Sequence, residues 1–166
     1  MAIRNILLDS DPILKKKSRV IADFNKRLHV LIDDMRETLV EANGLGLAAP
    51  QVGVLRRVAL ILDSSIESED IKSKIVELVN PVILKQSGEQ TGREGCLSVP
   101  GVCGIVTRPE VVTIQAQDRN GKAFKFTGKE MTARAICHEI DHLDGVLFTT
   151  RVERWLTEDE MEEEVE

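Results

Sequence analysis

"ICHEIDHLDG", Ile136 to Gly145, sets two histidines four residues apart with a glutamate directly after the first. Everything depends on whether this stretch is a helix. On a helix, residues four apart project from one face, and two imidazoles one turn apart can share a single cation. Glu139 is then rotated by about 100° from His138. That keeps its carboxylate from joining the histidines but leaves it beside whatever they hold. The chain has three histidines, and two of them fall in this H-E-x-x-H. Just upstream, Thr127-Gly128-Lys129-Glu130 fits a T-x-x-E capping box. The reading is a helix that begins there, runs to about Leu143 and stops at Gly145.

Working outward, Leu28, Leu31, Ile32, Met35 and Leu39 recur at helical spacing, and Asn43-Gly44 reads as the stop of that helix. "RVALILD" (57–63) is a β-rich apolar run, and "SSIESEDIKSK" (64–74) is a polar loop. "IVELVNPVIL" (75–84) reads as a strand interrupted at Asn80-Pro81. "VVTIQAQDRNGKAFKF" (111–126) reads as a hairpin with "RNG" at its turn. "TEDE" (157–160) offers a second capping box and so a C-terminal helix. Strands in the middle and helices towards both ends predict an α+β fold with mainly antiparallel pairing.

The 166 residues suit one domain, 1–166, with a real core. Net charge is −6, but "EDEMEEEVE" (158–166) holds seven carboxylates, so the body without this acidic tail is close to +1. Neither charge nor the 3% aromatic content, with no tyrosine, favours nucleic-acid binding. "MAIRNILLDSD" has too short an apolar run for a signal peptide, and nothing approaches the ~20 apolar residues of a membrane span. Three cysteines without a secretory signal read as reduced thiols in the cytoplasm.

Two histidines need a third protein ligand. The spacing of H-E-x-x-H-x-x-G-x-x-H holds as far as Gly145, but the last position is Phe148, which cannot coordinate. Glu162 is a downstream carboxylate at workable spacing, within a charge run. Upstream, "EGCLSVPG" (94–101) sets Cys96 at the end of a glycine-rich loop. A thiolate is a strong ligand for Zn(II) or Fe(II), and Cys plus two His leaves one position open. Cys137 reads as a core residue, and Cys103 as a loop residue. "GLGLAAPQVG" (44–53) reads as a loop with so little bulk that another chain could approach its backbone. Gln51, at its end, offers a neutral amide donor to an oxyanion.

Taken together, the three stretches resemble peptide deformylase. The family's motifs G-x-G-L-A-A-x-Q, E-G-C-L-S and H-E-x-D-H stand here in order as Gly44 to Gln51, Glu94 to Ser98 and His138 to His142. The resemblance runs from "DPIL" (11–14) through "GVLF" (145–148). It implies antiparallel strands around a central helix that carries the two histidines, and Cys96 as the third ligand. It implies hydrolysis of the N-formyl group from the initiator methionine of nascent polypeptides, with release of formate. The family usually works with Fe(II), so Fe(II) is the expected metal, with Zn(II), Ni(II) or Co(II) as substitutes.

The residue roles follow from the resemblance and the chemistry. Glu139 takes a proton from water and returns one to the departing amine. The Gln51 amide and the Leu97 backbone N–H meet the oxyanion. Gly46 is expected at the edge of an apolar methionine pocket; Met131 and Ala135, placed by helix geometry alone, suit either its lining or the core. Asp141 and Arg108 are expected to pair, and Glu94 to orient the Cys96 loop. The acidic tail argues against docking on the ribosome through a basic tail, leaving only transient proximity. Two other classes remain open on the sequence. One is a different metallohydrolase with another third ligand. The other is a structural metal site closed by Cys137 or Cys103.

Overall fold

The computed structural model describes residues 2–163. Met1 and residues 164–166, the end of the acidic tail, lie outside the description. Helix α1 (Lys26–Ala42) starts where the Asn25 side chain accepts a hydrogen bond from the Leu28 N–H, and ends at Asn43 in the left-handed region. Strand β1 (Gly46–Ala48) and a 3-10 turn (Ala49–Val52) follow, so the stretch read as an open loop is ordered backbone. Then come β2 (Val58–Leu62), β3 (Ile75–Ser87), β4 (Gln90–Cys96), β5 (Val99–Arg108), β6 (Val111–Gln117) and β7 (Ala123–Lys129). Helix α2 (Met131–Leu143), β8 (Arg154–Trp155) and α3 (Glu158–Glu162) follow among the described residues.

Five strands form one antiparallel sheet in the order β1-β2-β3-β6-β7, and β4-β5-β8 form a second. The apolar run of β2 has no polar face because both its faces are covered. Val58 and Leu60 join Leu28, Ile32, Met35 and Leu39 of α1 in one core. Ile61 joins Leu78, Val112 and Ile114 against Ile136 and Ile140 of α2 in another. Each large side chain removed from water this way stabilises by about 1.5–3 kcal/mol. The opposite side of α2 meets β4 and β5, where its Arg134 bonds the Val106 carbonyl of β5. The helix carrying the two histidines is therefore held between the two sheets.

Two boundaries differ from the sequence reading. Thr127 is not a helix cap. It lies in β7 opposite Thr113 of β6, their hydroxyls 2.9 Å apart. Strand pairing continues to Val111–Lys129, and α2 begins abruptly after Glu130, at φ 52° and without a side-chain cap. The ladder wins because Thr127 already has a cross-strand partner, and a β-branched residue suits that pleat. The helix end matches expectation, at Leu143 with Gly145 at φ 76°.

Asn80-Pro81 is likewise a bulge, not a break. The pairing of β3 with β6 shifts between Val79 and Val82, and the strand continues to Ser87. Asn80 takes φ 50° there, and its amide exchanges two hydrogen bonds with the Ile21 backbone, replacing the lost ladder contacts. At the C-terminal end the second capping box is present, with Thr157 and Glu160 bonding reciprocally. Arg154 grips both Glu160 oxygens, a contact that holds that exposed carboxyl well down, at about 2.

Candidate active site

β4 and β5 form a tight hairpin in which Cys96 pairs with Val99. Cys96 is thus the last residue of a strand and not part of an open loop. The turn aims its sulfur at α2, where Sγ lies 3.3 Å from His142 Nε2. His142 Nε2 lies 3.2 Å from His138 Nε2. The three donor atoms fall within 4.8 Å of one another. Glu162, the downstream alternative, is exposed on α3. Phe148, at the position that could not coordinate, packs against the His138 ring with centroids 5.8 Å apart.

The charge around this point tests whether a cation fits. His138 Nδ1 lies 2.8 Å from Glu94 Oε2, which accepts its proton and turns Nε2 towards the other two donor atoms. Cys96 Sγ and the two Nε2 atoms therefore converge, a set of electron-pair donors that a shared positive charge would satisfy. Burial alone would push the His138 pKa down, but the charges of Glu139, Cys96 and Glu94 override it and raise it. Burial and the neighbouring His138 push His142 down to about 3, so its ring is neutral. The surroundings thus favour positive charge at the convergence point, and the donor set suits a divalent transition metal.

Glu139 is 3% exposed, and its Oε1 has no hydrogen-bond partner among the described residues. Burial, reinforced by Glu94 and Asp141, raises its pKa to about 7 against the opposing charge of His138. A carboxyl poised there can take and return a proton near neutral pH. Gln51 links the first two motifs. Its Oε1 accepts from the Ala48 N–H, and its Nε2 donates to Ser98 Oγ at 3.1 Å and faces Cys96 Sγ at 3.7 Å.

These groups border a cavity of about 420 Å³ that Gly46, Gln51, Leu97, Met131, Ala135 and Glu139 all line. The volume suits a small ligand. Cys103 lines it too, from within β5, which corrects its reading as a loop residue. Cys137 is buried in the core against the five-stranded sheet, and burial pushes its thiol up to about 11. Neither joins the Cys/His/His group among the described residues, so neither closes that site.

A family model described as polypeptide deformylase matches residues 3–158. The chain belongs to the polypeptide deformylase family. A peptide deformylase of Acetivibrio thermocellus is 51% identical over 162 residues, covering 98% of this chain and 91% of that one. The crystal structure of a peptide deformylase from Legionella pneumophila aligns with TM-score 0.83 at 40% identity, over 98% of this chain and 90% of that one. A class I type b peptide deformylase from Acinetobacter baumannii, crystallised with Met-ala-ser, aligns with TM-score 0.82 at 32% identity, over 90% and 98%.

Within this deformylase-family site, Arg108 does meet Asp141, at 2.7 Å, and Arg151 binds the same carboxylate. Glu94 does more than orient the Cys96 strand. It accepts from His138, from both Nε and Nη2 of Arg108, and from Arg134. Burial would raise its pKa, but His138 and Arg108 hold it down at about 2, so it is a fixed anion. Sequence reasoning missed Ser98 and Arg134. Arg134 did leave a signal: it is a charged residue four before His138 on a helix whose neighbouring positions are alanines.

Gly46 packs against Glu139 so closely that a Cβ there would lie 2.6 Å from Oε2 and 2.9 Å from Cδ. The colliding atoms are the end of a movable side chain, so Gly46→Ala should fold but displace the carboxylate. A misplacement of about 1 Å can cost ~10² in rate. The expected result is a 10- to 100-fold fall in kcat/KM with unchanged metal content and melting temperature. Wild-type kinetics in this variant would show that the Glu139 position does not matter.

Proposed function

We infer that this chain hydrolyses the N-formyl group from the N-formylmethionine of nascent polypeptides, releasing formate and a free amino terminus. The observation that carries the reading is the convergence of Cys96 Sγ and two histidine Nε2 atoms beside the buried Glu139 carboxyl, in a chain of this family. The Acinetobacter relative crystallised with Met-ala-ser fits the same substrate class.

A divalent metal held by Cys96, His138 and His142 would bring the pKa of a water towards ~7 and polarise the formyl oxygen. The chain's residues do the rest. Glu139 accepts the proton of the attacking water and delivers one to the leaving amine. The Gln51 amide and the Leu97 N–H donate to the oxygen that gains charge. Gly46, Met131 and Ala135 receive the methionine side chain. The Glu94 carboxylate fixes the His138 ring so that Nε2 faces inward.

Thiolate and imidazole ligands accommodate several metals, and Fe(II) is the physiological one in this reading, with Zn(II), Ni(II) or Co(II) as substitutes. The chain acts as a single catalytic domain in the cytoplasm, near the ribosome only transiently. No helix among the described residues is long and apolar enough to cross a membrane. The test is release of formate from formyl-Met-Ala-Ser, anaerobically with Fe(II), by wild type and by Glu139→Ala. Absence of formate release from the metal-loaded wild type would overturn the reading.

The acidic tail contributes no ligand in this scheme. Glu158, Asp159 and Glu160 suit the first turn of α3, at the positive end of the helix dipole. Deleting residues 158–166 should leave metal content and turnover on short formyl-peptides within about two-fold, as for changes remote from core and site. Loss of metal on truncation would point to a tail carboxylate as ligand.

A further inference from the structure

We propose that Arg134 is a positioning residue that locks the metal-binding helix onto the Cys96 hairpin, and so keeps His138 and Cys96 in register for one metal ion. This rests on the metal reading of Cys96, His138 and His142. The donor set comes from two separate elements, with Cys96 ending β4 and the histidines on α2. Something must hold these elements at a fixed separation. The apolar face of α2 cannot, because it packs on the five-stranded sheet.

Arg134 makes the link. It sits one turn before His138 and is only 6% exposed. Its Nη1 donates to Glu94 Oε1 at 3.0 Å and to the Val106 carbonyl of β5 at 3.0 Å, and its Nη2 reaches the Gln90 carbonyl of β4 at 3.5 Å. One guanidinium thus ties α2 to both strands of the hairpin. Glu94 is the shared node. Oε2 takes His138 Nδ1 and Arg108 Nη2, while Oε1 takes Arg134 and Arg108 Nε. Arg108 approaches from β5 and spends its remaining nitrogen, Nη1, on Asp141. Among these donors the two cations are not equivalent. Arg108 joins β5 to Glu94 and to the far end of α2, whereas Arg134 is the one on α2 that reaches back to the strand backbone.

A planar guanidinium can serve a carboxylate and two carbonyls together. A lysine ammonium at this place would keep the charge but not the fork. The site therefore predicts graded behaviour. Arg134→Met keeps the aliphatic bulk and removes all three bonds. Arg134→Lys keeps an ion pair with Glu94 and loses a strand contact. Loss of a partner behind a metal-binding histidine typically costs ~10–100-fold in metal affinity.

The experiment measures the rate at which a chelating dye strips Zn(II) from the loaded protein, for wild type, Arg134→Met and Arg134→Lys. Melting temperature and the separate values of kcat and KM are followed alongside. Stripping should quicken by about 10–100-fold in Arg134→Met and by a smaller factor in Arg134→Lys. The absorption bands of the Co(II)-loaded protein should shift in the same order, because they report the arrangement of sulfur and nitrogen ligands. If Arg134→Met fails to fold, Arg134→Lys carries the test alone. It must then strip faster than wild type at an unchanged Co(II) ligand set of one sulfur and two nitrogens.

Three outcomes overturn the proposal. The first is a lowered melting temperature with wild-type stripping rate and Co(II) spectrum, which would make Arg134 merely structural. The second is a raised KM with unchanged stripping, which would make it a substrate contact from the cavity wall it also lines. The third is Arg134→Lys identical to wild type in both metal readouts. Wild type that binds no Zn(II) would instead sink the metal reading itself.

Discussion

Glu139→Ala should keep its metal and its fold and lose turnover by about 10²–10⁴-fold, the range that a positioned acid–base group supplies. The residue stands next to His138 in sequence, yet it is not among the three converging donors. Helix geometry explains this, since adjacent residues are rotated apart by about 100°. Its carboxyl is buried, one oxygen lacks a protein partner among the described residues, and burial raises its pKa to about 7. Such a group is costly to keep and is explained by proton transfer, not by stability. Glu139→Gln should share the defect, since an amide cannot take the proton. Metal analysis with steady-state kinetics on formyl-Met-Ala-Ser decides the point. Near-wild-type turnover in metal-replete Glu139→Ala would remove Glu139 from the chemistry.

The parts of this molecule that were legible in sequence are those with a strong local signal. Helix α1 showed its 3.6-residue period, and Asn43 and Gly145 end the two long helices as their chemistry dictates. β2 and the β6–β7 hairpin were equally plain. The β4–β5 hairpin was not. Gly92, Gly95, Gly101, Gly104 and Pro100 dilute its strand signal, and it read as a glycine-rich loop. Pairing across that hairpin is what makes it a strand, and pairing is a tertiary fact. The T-x-x-E at Thr127 failed for a related reason. A capping box is a local pattern, and a cross-strand partner at Thr113 overrode it.

The site divides along the same line. Residues assigned to the reaction sit in short motifs: the H-E-x-x-H spacing brought His138, His142 and Glu139 into view, while Cys96 and Gln51 came from their chemistry together with the family resemblance. Arg134 and the four-donor arrangement around Glu94 depend on side chains from β4, β5 and α2 meeting in space. A charged residue flanked by alanines, one turn before a metal-binding histidine, marks a buried partner, but it does not say which one. The close approach of Gly46 to Glu139 is also invisible in sequence, because a glycine in "GLGLAAPQVG" has several ordinary explanations.

Cys96→Ser should lose most of its metal, and this variant separates the thiolate reading from every alternative. A serine hydroxyl is nearly the size of the thiol and would fit the same turn, so the hairpin should fold. It stays neutral at pH 7, however, and removes the negative charge that the two imidazoles cannot supply. The weakening should exceed the ~10–100-fold typical of losing an outer partner, and turnover should fall with occupancy. Metal binding in the wild type should itself weaken in acid, because Cys96 must shed a proton and the raised His138 must do the same. Cys96→Ser should lose the cysteine's part of this dependence and keep the histidine's. The contrasting variant is Glu162→Gln, on exposed α3, which should leave metal content unchanged. If Cys96→Ser held metal as tightly as wild type while Glu162→Gln released it, the third ligand would be a carboxylate. The open, thiolate-bound site argued from the hairpin would then be wrong.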